Sequence, residues 1–599
     1  MAAQANDASS VDTTSYPYIF EKNVSVPLKN RSFIRCNVYR PKTSDPSGKH
    51  PVLATYGPYG KDVHYHYFNG PSYADLNPDH KTEHSAWETP TPSYWTKHGY
   101  VVVRADESGS GQSPGFLDCL SPTTIDSFCE LIEWASEQTW SNGKVGLLGI
   151  SYFGATQWQV AARRPKGLAA IVPWEGFSDF YRDATRHGGI LCNAGIDGIF
   201  KRQIGPNQYG LPGRAARNRG DDTIEGSLSE AELAMNRVTL VDRAREARFR
   251  DGDHYASVNF NLEDVQVPLL SVANLGGILL HLRGNVQGYT HAGSDFKYLR
   301  FIVGRHDLPF YYAEEVEIQR SFLDAFLLGQ DRVGWSRKGA VPPVDLILRK
   351  GNVGYNDPQS ESKFLRRKEN EWPIARTQYT PLFLQSDETL SWTKPTDLTM
   401  PHKVEYHAFG DGDNCHPSVS FTSPQFELET EITGHIVVRL NVSMSRCRWQ
   451  STKPSDMDLF LSLRHIASSG EEVFYTGTTG EPAPITKGSL RVSLRRTNPQ
   501  HPRHRPWLPH RDYLSTDVLP VIPNEVYTVD VELWPTNVVV QRGERLVLDI
   551  GASELAGSGL FQHDDPSDRP ETVFKGNNHV HFGANYDNWI SLPVIPNGI

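Results

Sequence analysis

Apolar and polar positions follow three patterns in succession along the chain. From about residue 50, short runs are apolar on both faces and rich in β-branched residues: PVLATYG (51–57), YVVVRAD (100–106), KVGLLGIS (144–151) and LAAIVPWE (168–175). Between them, TIDSFCELIEWASEQ (124–138) sets Ile125, Phe128, Leu131 and Ile132 at helical spacing. Strands buried on both faces and separated by helices predict a parallel sheet covered on both sides. Residues 178–262 break the rhythm. They hold no strong strand run, and EAELAMNRVTLVDRAREARFR carries charges at helical spacing, which predicts a helical insertion. VPLLSVAN (267–274) and YLRFIVGR (298–305) restore the sheet, and EEVEIQRSFLDAFLLG (314–329) predicts an amphipathic helix ending at Gly329. After about residue 340, HIVVRLNVSM, DMDLFLSLRHI, YTVDVELWP and ERLVLDIGAS alternate with period two and have no helices between them. That predicts an antiparallel sandwich of jelly-roll type. The expected organisation is therefore 1–177 and 263–340 for one α/β core, 178–262 for the insertion and 341–599 for the sandwich. The connecting stretch KFLRRKENEWPIAR, with its tryptophan, is expected to pack rather than dangle.

Composition narrows the classes. With 38% apolar and 22% charged residues, 41 prolines and 49 glycines, the 599-residue chain is a loop-rich globular protein, not a disordered, collagen-like or coiled-coil one. A net charge of −10 gives no general pull toward nucleic acid or an anionic membrane, so neither is expected as a partner. The basic RRTNPQHPRHRPW (495–507) reads as a solvated loop. No run approaches the roughly 20 apolar residues of a membrane span, and MAAQANDASSVDTTS lacks the basic and apolar regions of a secretory signal. Cys36, Cys119, Cys129, Cys192, Cys415 and Cys447 include no CxxC pair and are expected to be reduced thiols of a cytoplasmic protein.

The sharpest chemical signal is Gly149-Ile150-Ser151-Tyr152-Phe153-Gly154, between a strand run and a helix-like run. A nucleophile elbow needs small residues around a serine held on a sharp strand-to-helix turn. The usual form is GxSxG; here Phe153 holds the second glycine position and the glycine comes one later. A serine at neutral pH needs a base. The loop after the last core strand, Gly304-Arg305-His306-Asp307, offers His306, with His187 and His281 as rivals. His64, His66, His80 and His84 crowd one proline-studded loop. A pocket-mouth role for HYHYF fits that loop better than a metal site, and no metal or other cofactor is expected.

GISYFG, Pro58-Tyr59-Gly60-Lys61, DESGSGQSPG (106–115), the insertion, EWPIARTQYTPLFL and the β-rich tail together resemble the cocaine-esterase and X-Pro dipeptidyl-peptidase-like hydrolases, the CocE/NonD type, over residues 18–596. The resemblance implies an α/β-hydrolase core, a helical cap at 178–262 and a C-terminal jelly roll. It implies a serine hydrolase acting on small-molecule esters, α-amino-acid esters, acylated β-lactams or peptides with penultimate proline. It further implies an oxyanion hole from Tyr59 and the backbone N–H of Tyr152. The chain departs from the family in three places. Ser108 replaces an arginine in the D-x-R-G segment, and G-R-H-D replaces G-P-W-x-H before the histidine. The stretch that carries the family's triad Asp is here Ala273-Asn274-Leu275-Gly276-Gly277, without a carboxylate.

The other source of an acid is the end of the strand at 168–175. Glu175 is the preferred acid and Asp179 the next, unless Glu175 is spent on Arg182 or Arg186; Asp307 is expected to point elsewhere. The expected geometry has Glu175 on one ring nitrogen of His306 and Ser151 facing the other. The expected activity is hydrolysis of an ester, lactone or amide of a small-molecule substrate through an acyl-enzyme on Ser151. The alternatives are a non-hydrolytic acyl transferase or cyclase, a C–C bond-cleaving enzyme of polyketide-type metabolism, and a non-catalytic binding protein. Assembly as a homo-oligomer stays open.

Overall fold

The computed structural model describes residues 9–42, 48–213, 226–395, 401–409, 416–447 and 453–596. Its first sheet has eleven strands. They are β1 (Ser10–Asp12), β2 (Tyr18–Pro27), β3 (Phe33–Pro41), β4 (His50–Gly57), β5 (Val101–Asp106), β6 (Ser141–Ile150), β7 (Leu168–Trp174), β8 (Leu269–Asn274), β9 (Lys297–Ile302), β10 (Val344–Leu348) and β11 (Leu365–Glu369). Spatial order is β1-β2-β3-β5-β4-β6-β7-β8-β9-β10-β11. The strands from β5 to β10 in this order pair parallel, and the strands at both ends pair antiparallel.

The double-sided apolar runs explain this arrangement. Val101 and Val103 of β5 enter one core with Ile125, Phe128 and Leu131 of helix α1 (Pro122–Glu137). Val102 between them enters the core on the other face. Helix α1 starts where the Ser121 side chain accepts from the Thr124 N–H. Helix α2 (Tyr152–Arg163) follows β6, α3 (Leu282–His291) follows β8, and α4 (Ala313–Leu323) follows β9.

One feature differs from the sequence reading and a second refines it. The first sheet runs on beyond residue 340, where β10 supplies a carboxylate to a buried arginine and β11 a second arginine that shares it. Arg300 on β9 is bound by Asp345 of β10 and by Glu315 at 2.7 Å, and Asp345 also accepts from Arg366 of β11 at 3.1 Å. The connecting stretch is therefore partly strand, and Trp372 beyond it packs against Phe301 with centroids 4.8 Å apart. Second, the cap sequence EAELAMNRVTLVDRAREARFR forms two short helices, Glu230–Met235 and Leu240–Glu246. Thr239 divides them by capping the second, accepting from the Asp242 N–H at 3.1 Å.

The C-terminal region is antiparallel. Thr430–Ser445 pairs with Tyr527–Val540 in one sheet, and Asp458–Ile466 with Arg545–Gly551 in a second. Leu440, Val442, Leu461, Leu463, Val531 and Leu548 share the core of this sandwich. Among the described residues, five cysteines are free and no helix is long and apolar enough to cross a membrane. Cys415 lies outside them.

Candidate active site

Strand β6 ends at Ile150, and Ser151 turns the chain into α2 with φ 58° and ψ −115°. For a residue with a side chain such a conformation costs on the order of 1–3 kcal/mol, and it persists because the surroundings over-determine it. The Ser151 N–H donates to the carbonyls of Trp174 at 3.0 Å and Glu175 at 3.1 Å. The displaced glycine of the motif also has its reason here. A Cβ on Gly154 would lie 2.6 Å from the Trp174 carbonyl oxygen, and one on Gly176 would lie 2.5 Å from the Gly154 carbonyl carbon. Helix α2 therefore rests directly on the backbone at the end of β7. Tyr152 is the first residue of α2, so its N–H belongs to the helix-end donors that have no partner within the helix.

Glu175 follows β7 with φ 41° and is fully buried. Its Oε2 lies 2.8 Å from His306 Nδ1, and its Oε1 accepts from Asn274 Nδ2 at 3.0 Å. Asn274 also donates to the Gly304 carbonyl at 2.8 Å. The stretch after β8 that lacks a carboxylate thus supplies an amide, which ties the acid to the histidine loop. Arg182 and Arg186, the alternative partners weighed for Glu175, are bound to Asp179 and, at 2.8 Å, to Asp568.

The expectation that the second nitrogen of His306 faces Ser151 is not met. His306 Nε2 lies 3.1 Å from Oε1 of Glu88, a buried residue with φ 61°. Glu88 is brought there by its own backbone, since its carbonyl accepts from the Ile150 N–H at 3.1 Å. A carboxylate driven into this interior must find a partner, and the histidine is the one in reach. The histidine hydrogen-bonded to the Ser151 hydroxyl is instead His281, the sequence rival, with Nε2 at 3.3 Å from Oγ. Its ring lies parallel to that of His306, centroids 5.0 Å apart, and also to that of Phe177. His281 Nδ1 is buried with no hydrogen-bond partner.

Burial pushes the Glu88 carboxyl up to about 7, against the hydrogen bond from His306. Burial alone would depress His306, but the charge of Glu175 and then that of Glu88 hold it well above the ordinary imidazole value. His281 is held well below that value by burial and by the charge of His306. The Tyr59 phenol is pushed far up by burial, with a hydrogen bond to Ser151 acting the other way, so it stays a protonated donor beside the Ser151 hydroxyl. Tyr152 contributes its side chain elsewhere, donating to Glu107 at 2.6 Å.

Of the remaining sequence candidates, Asp307 lines the same cavity but is bound to other partners, and the rest lie elsewhere. Asp179 caps the turn at Phe180–Thr185, and Arg182 and Arg250 hold its carboxyl very low despite burial. Asp307 accepts from the Tyr65 hydroxyl at 2.6 Å and from Ser72. His187 lies 2.9 Å from His563, where the cap meets the sandwich. His64, His80 and His84 bond the Thr82 carbonyl, Thr91 and Tyr18 respectively. HYHYF does not form the pocket mouth. His64, His66 and Tyr67 line a separate cleft, and this loop reaches the cavity at Ser151 only from Asn69 onward.

That cavity, of about 250 Å³, holds Ser151, Tyr59, Glu88 and His306. Trp87 and Leu280 from the core, Ile199 from the cap and Phe561 from the sandwich wall it in.

Comparisons with known proteins bear on the family and the fold. The family model for X-Pro dipeptidyl-peptidases (S15 family) matches residues 33–305, and that for the X-Pro dipeptidyl-peptidase C-terminal non-catalytic domain matches 337–591. Cocaine esterase from Rhodococcus sp. (strain MB1 Bresler) is 32% identical, with 96% of this chain and 99% of that protein covered. A putative serine esterase of Mycobacterium bovis is 23% identical, with 83% of each chain covered. The crystal structure of a CocE/NonD family hydrolase from Staphylococcus aureus superimposes with a TM-score of 0.78 at 27% identity, covering 98% of this chain and 96% of that one. With an elbow serine at the end of a parallel strand, a buried acid–histidine pair and a β-sandwich tail, the chain belongs to the CocE/NonD family of serine hydrolases.

Proposed function

We propose that this serine hydrolase cleaves an ester, lactone or amide of a small molecule through an acyl-enzyme on Ser151. The observation that carries the reading is the strained elbow that holds the Ser151 hydroxyl beside the Tyr59 phenol in one cavity. In this mechanism Ser151 Oγ attacks the substrate carbonyl carbon. The developing oxyanion accepts from the Tyr59 hydroxyl and the Tyr152 N–H, donors fixed before the charge appears. The serine proton passes to His306 Nε2, which must first give up its own proton to Glu88 or solvent and turn away from Glu88. The Nδ1–H stays on Glu175, which fixes the tautomer and offsets the imidazolium charge. The imidazolium then protonates the leaving group, and water repeats the sequence on the acyl-enzyme.

His281 is an unsuitable base despite its contact with Ser151. No acceptor supports its Nδ1–H, and both burial and His306 oppose its protonation. Its role here is to orient the hydroxyl. The apolar walls Trp87, Leu280, Ile199 and Phe561 suit a compact hydrophobic acyl group.

The test is labelling with a fluorophosphonate, followed by peptide mapping and a pre-steady-state burst with a nitrophenyl ester. Modification at Ser151 with a burst of about one equivalent is the expected result. Turnover without a burst, or labelling of another serine, overturns the acyl-enzyme.

A further inference from the structure

Away from the catalytic cavity, where the cap meets the sandwich, three groups without a role in the chemistry converge. His187 lies on the ribbon formed by Arg186–His187 and Ile190–Leu191, Cys192 follows that ribbon, and His563 comes from a sandwich loop. All three are buried, and one ligating atom from each lies within 4.8 Å of the other two.

Their outer hydrogen bonds fix the tautomers. His187 Nε2 lies 3.0 Å from the Asp183 carbonyl, which can only accept, so Nε2 carries the proton and Nδ1 a lone pair. His563 Nδ1 lies 2.6 Å from the Glu554 carboxylate, so it too carries a proton, and Nε2 of a neutral ring is left with a lone pair. Those two lone-pair nitrogens, His187 Nδ1 and His563 Nε2, face each other at 2.9 Å. Two acceptors at that distance repel unless a cation lies between them. An outer carbonyl and an outer carboxylate on the far ring nitrogens are also the arrangement that orients imidazoles toward a metal.

We propose that His187, Cys192 and His563 bind one zinc ion that pins the cap to the β-sandwich. Two imidazoles and a thiolate suit Zn²⁺, with Zn–N at about 2.0–2.1 Å and Zn–S at about 2.3 Å. Tetrahedral bonds of that length need the two nitrogens roughly 3.3 Å apart, so the rings part by a few tenths of an ångström on binding. Cys192 binds as the thiolate and releases its proton to solvent, as does any proton shared by the two rings. The ligand from the sandwich is two residues past Phe561, which walls the catalytic cavity, so the ion also fixes that wall. Neighbouring ties follow the same seam: Arg186 binds Asp568 at 2.8 Å, and Asn193 Oδ1 accepts from the Asp564 N–H at 3.0 Å.

The rival occupant is a proton, with His563 as an imidazolium between Glu554 and His187. To separate the two, the full-length protein is stripped with a chelator and titrated with Co²⁺ and, separately, Zn²⁺. One equivalent of each should bind, and cobalt should give a thiolate charge-transfer band that Cys192→Ser abolishes and Cys36→Ser leaves intact. In the wild type, zinc should slow alkylation of Cys192 under partial denaturation but not that of Cys36, a readout that stands even where Cys192→Ser fails to fold. Failure of the wild type to bind a stoichiometric ion, or a band that survives in folded Cys192→Ser, overturns the site.

Discussion

His281 and His306 lie face to face, ring planes 5° apart and centroids 5.0 Å apart, with Ser151 against one and Glu175 against the other. Two stacked imidazoles this close do not both ionise readily, and the two carboxylates give the charge to His306. The residue nearest the nucleophile is therefore the poorer base. His306→Gln should lower kcat on the order of 10⁴-fold or more, while His281→Gln should cost only about tenfold. A reversed order of the two losses would move the base to His281.

Ser151→Ala should abolish turnover and leave the fold intact, because alanine meets no new contact at the elbow. Circular dichroism verifies the fold. Substantial residual esterase activity in the folded variant contradicts a covalent route.

Tyr59→Phe should reduce kcat by about 10²–10³-fold with little change in KM, since an oxyanion donor acts in the transition state. A raised KM with unchanged kcat would make Tyr59 a substrate contact.

Glu175→Gln should cost on the order of 10²–10⁴ in kcat, because an amide can hold the wrong tautomer and cannot offset the imidazolium. Asp179→Asn should cost much less, since that carboxylate is spent on Arg182 and Arg250. Equal losses in the two variants would remove the special position of Glu175.

On the proposed mechanism, Glu88 should help set the pH at which the site works. His306 accepts the serine proton only when Nε2 is free of one, and both carboxylates raise its pKa. Activity should therefore fall as pH drops through that raised value. Glu88→Gln removes one of the two stabilising charges, so the acid limb of kcat/KM should move to lower pH, by roughly one unit or more. An unmoved limb, or one displaced to higher pH, would show that Glu88 does not govern the base.

The legible parts of the molecule are those with a local signature. The strand–GISYFG–helix sequence marks the turn at Ser151, and the end of the run at 168–175 marks Glu175 as a neighbour, because the ends of adjacent parallel strands converge. Glu88 has no such signature. It sits in a proline-rich loop without periodicity, and its place depends on one long-range bond from the Ile150 N–H. The choice between His281 and His306 at the hydroxyl is likewise invisible to spacing, because stacking and burial decide it. The continuation of the first sheet into β10 and β11 was hidden for a related reason: the charges of LRRKE read as linker, yet Arg366 is consumed by Asp345 and Arg367 by Glu431.

The joint between Gly154 and Gly176, with the Ser151 N–H on the Glu175 carbonyl, has a consequence for how such an enzyme can change. Ser151 and Glu175 are riveted to one another through main chain, so neither can drift without the other, and side-chain replacement that leaves this joint alone hardly alters their separation. Ile199 and Phe561 stand on the cap and the sandwich, outside that rivet. New substrates can thus be accommodated by swapping walls while the cutting edge stays the same, and a bulky residue at 154 or 176 would blunt it without touching a single reacting atom.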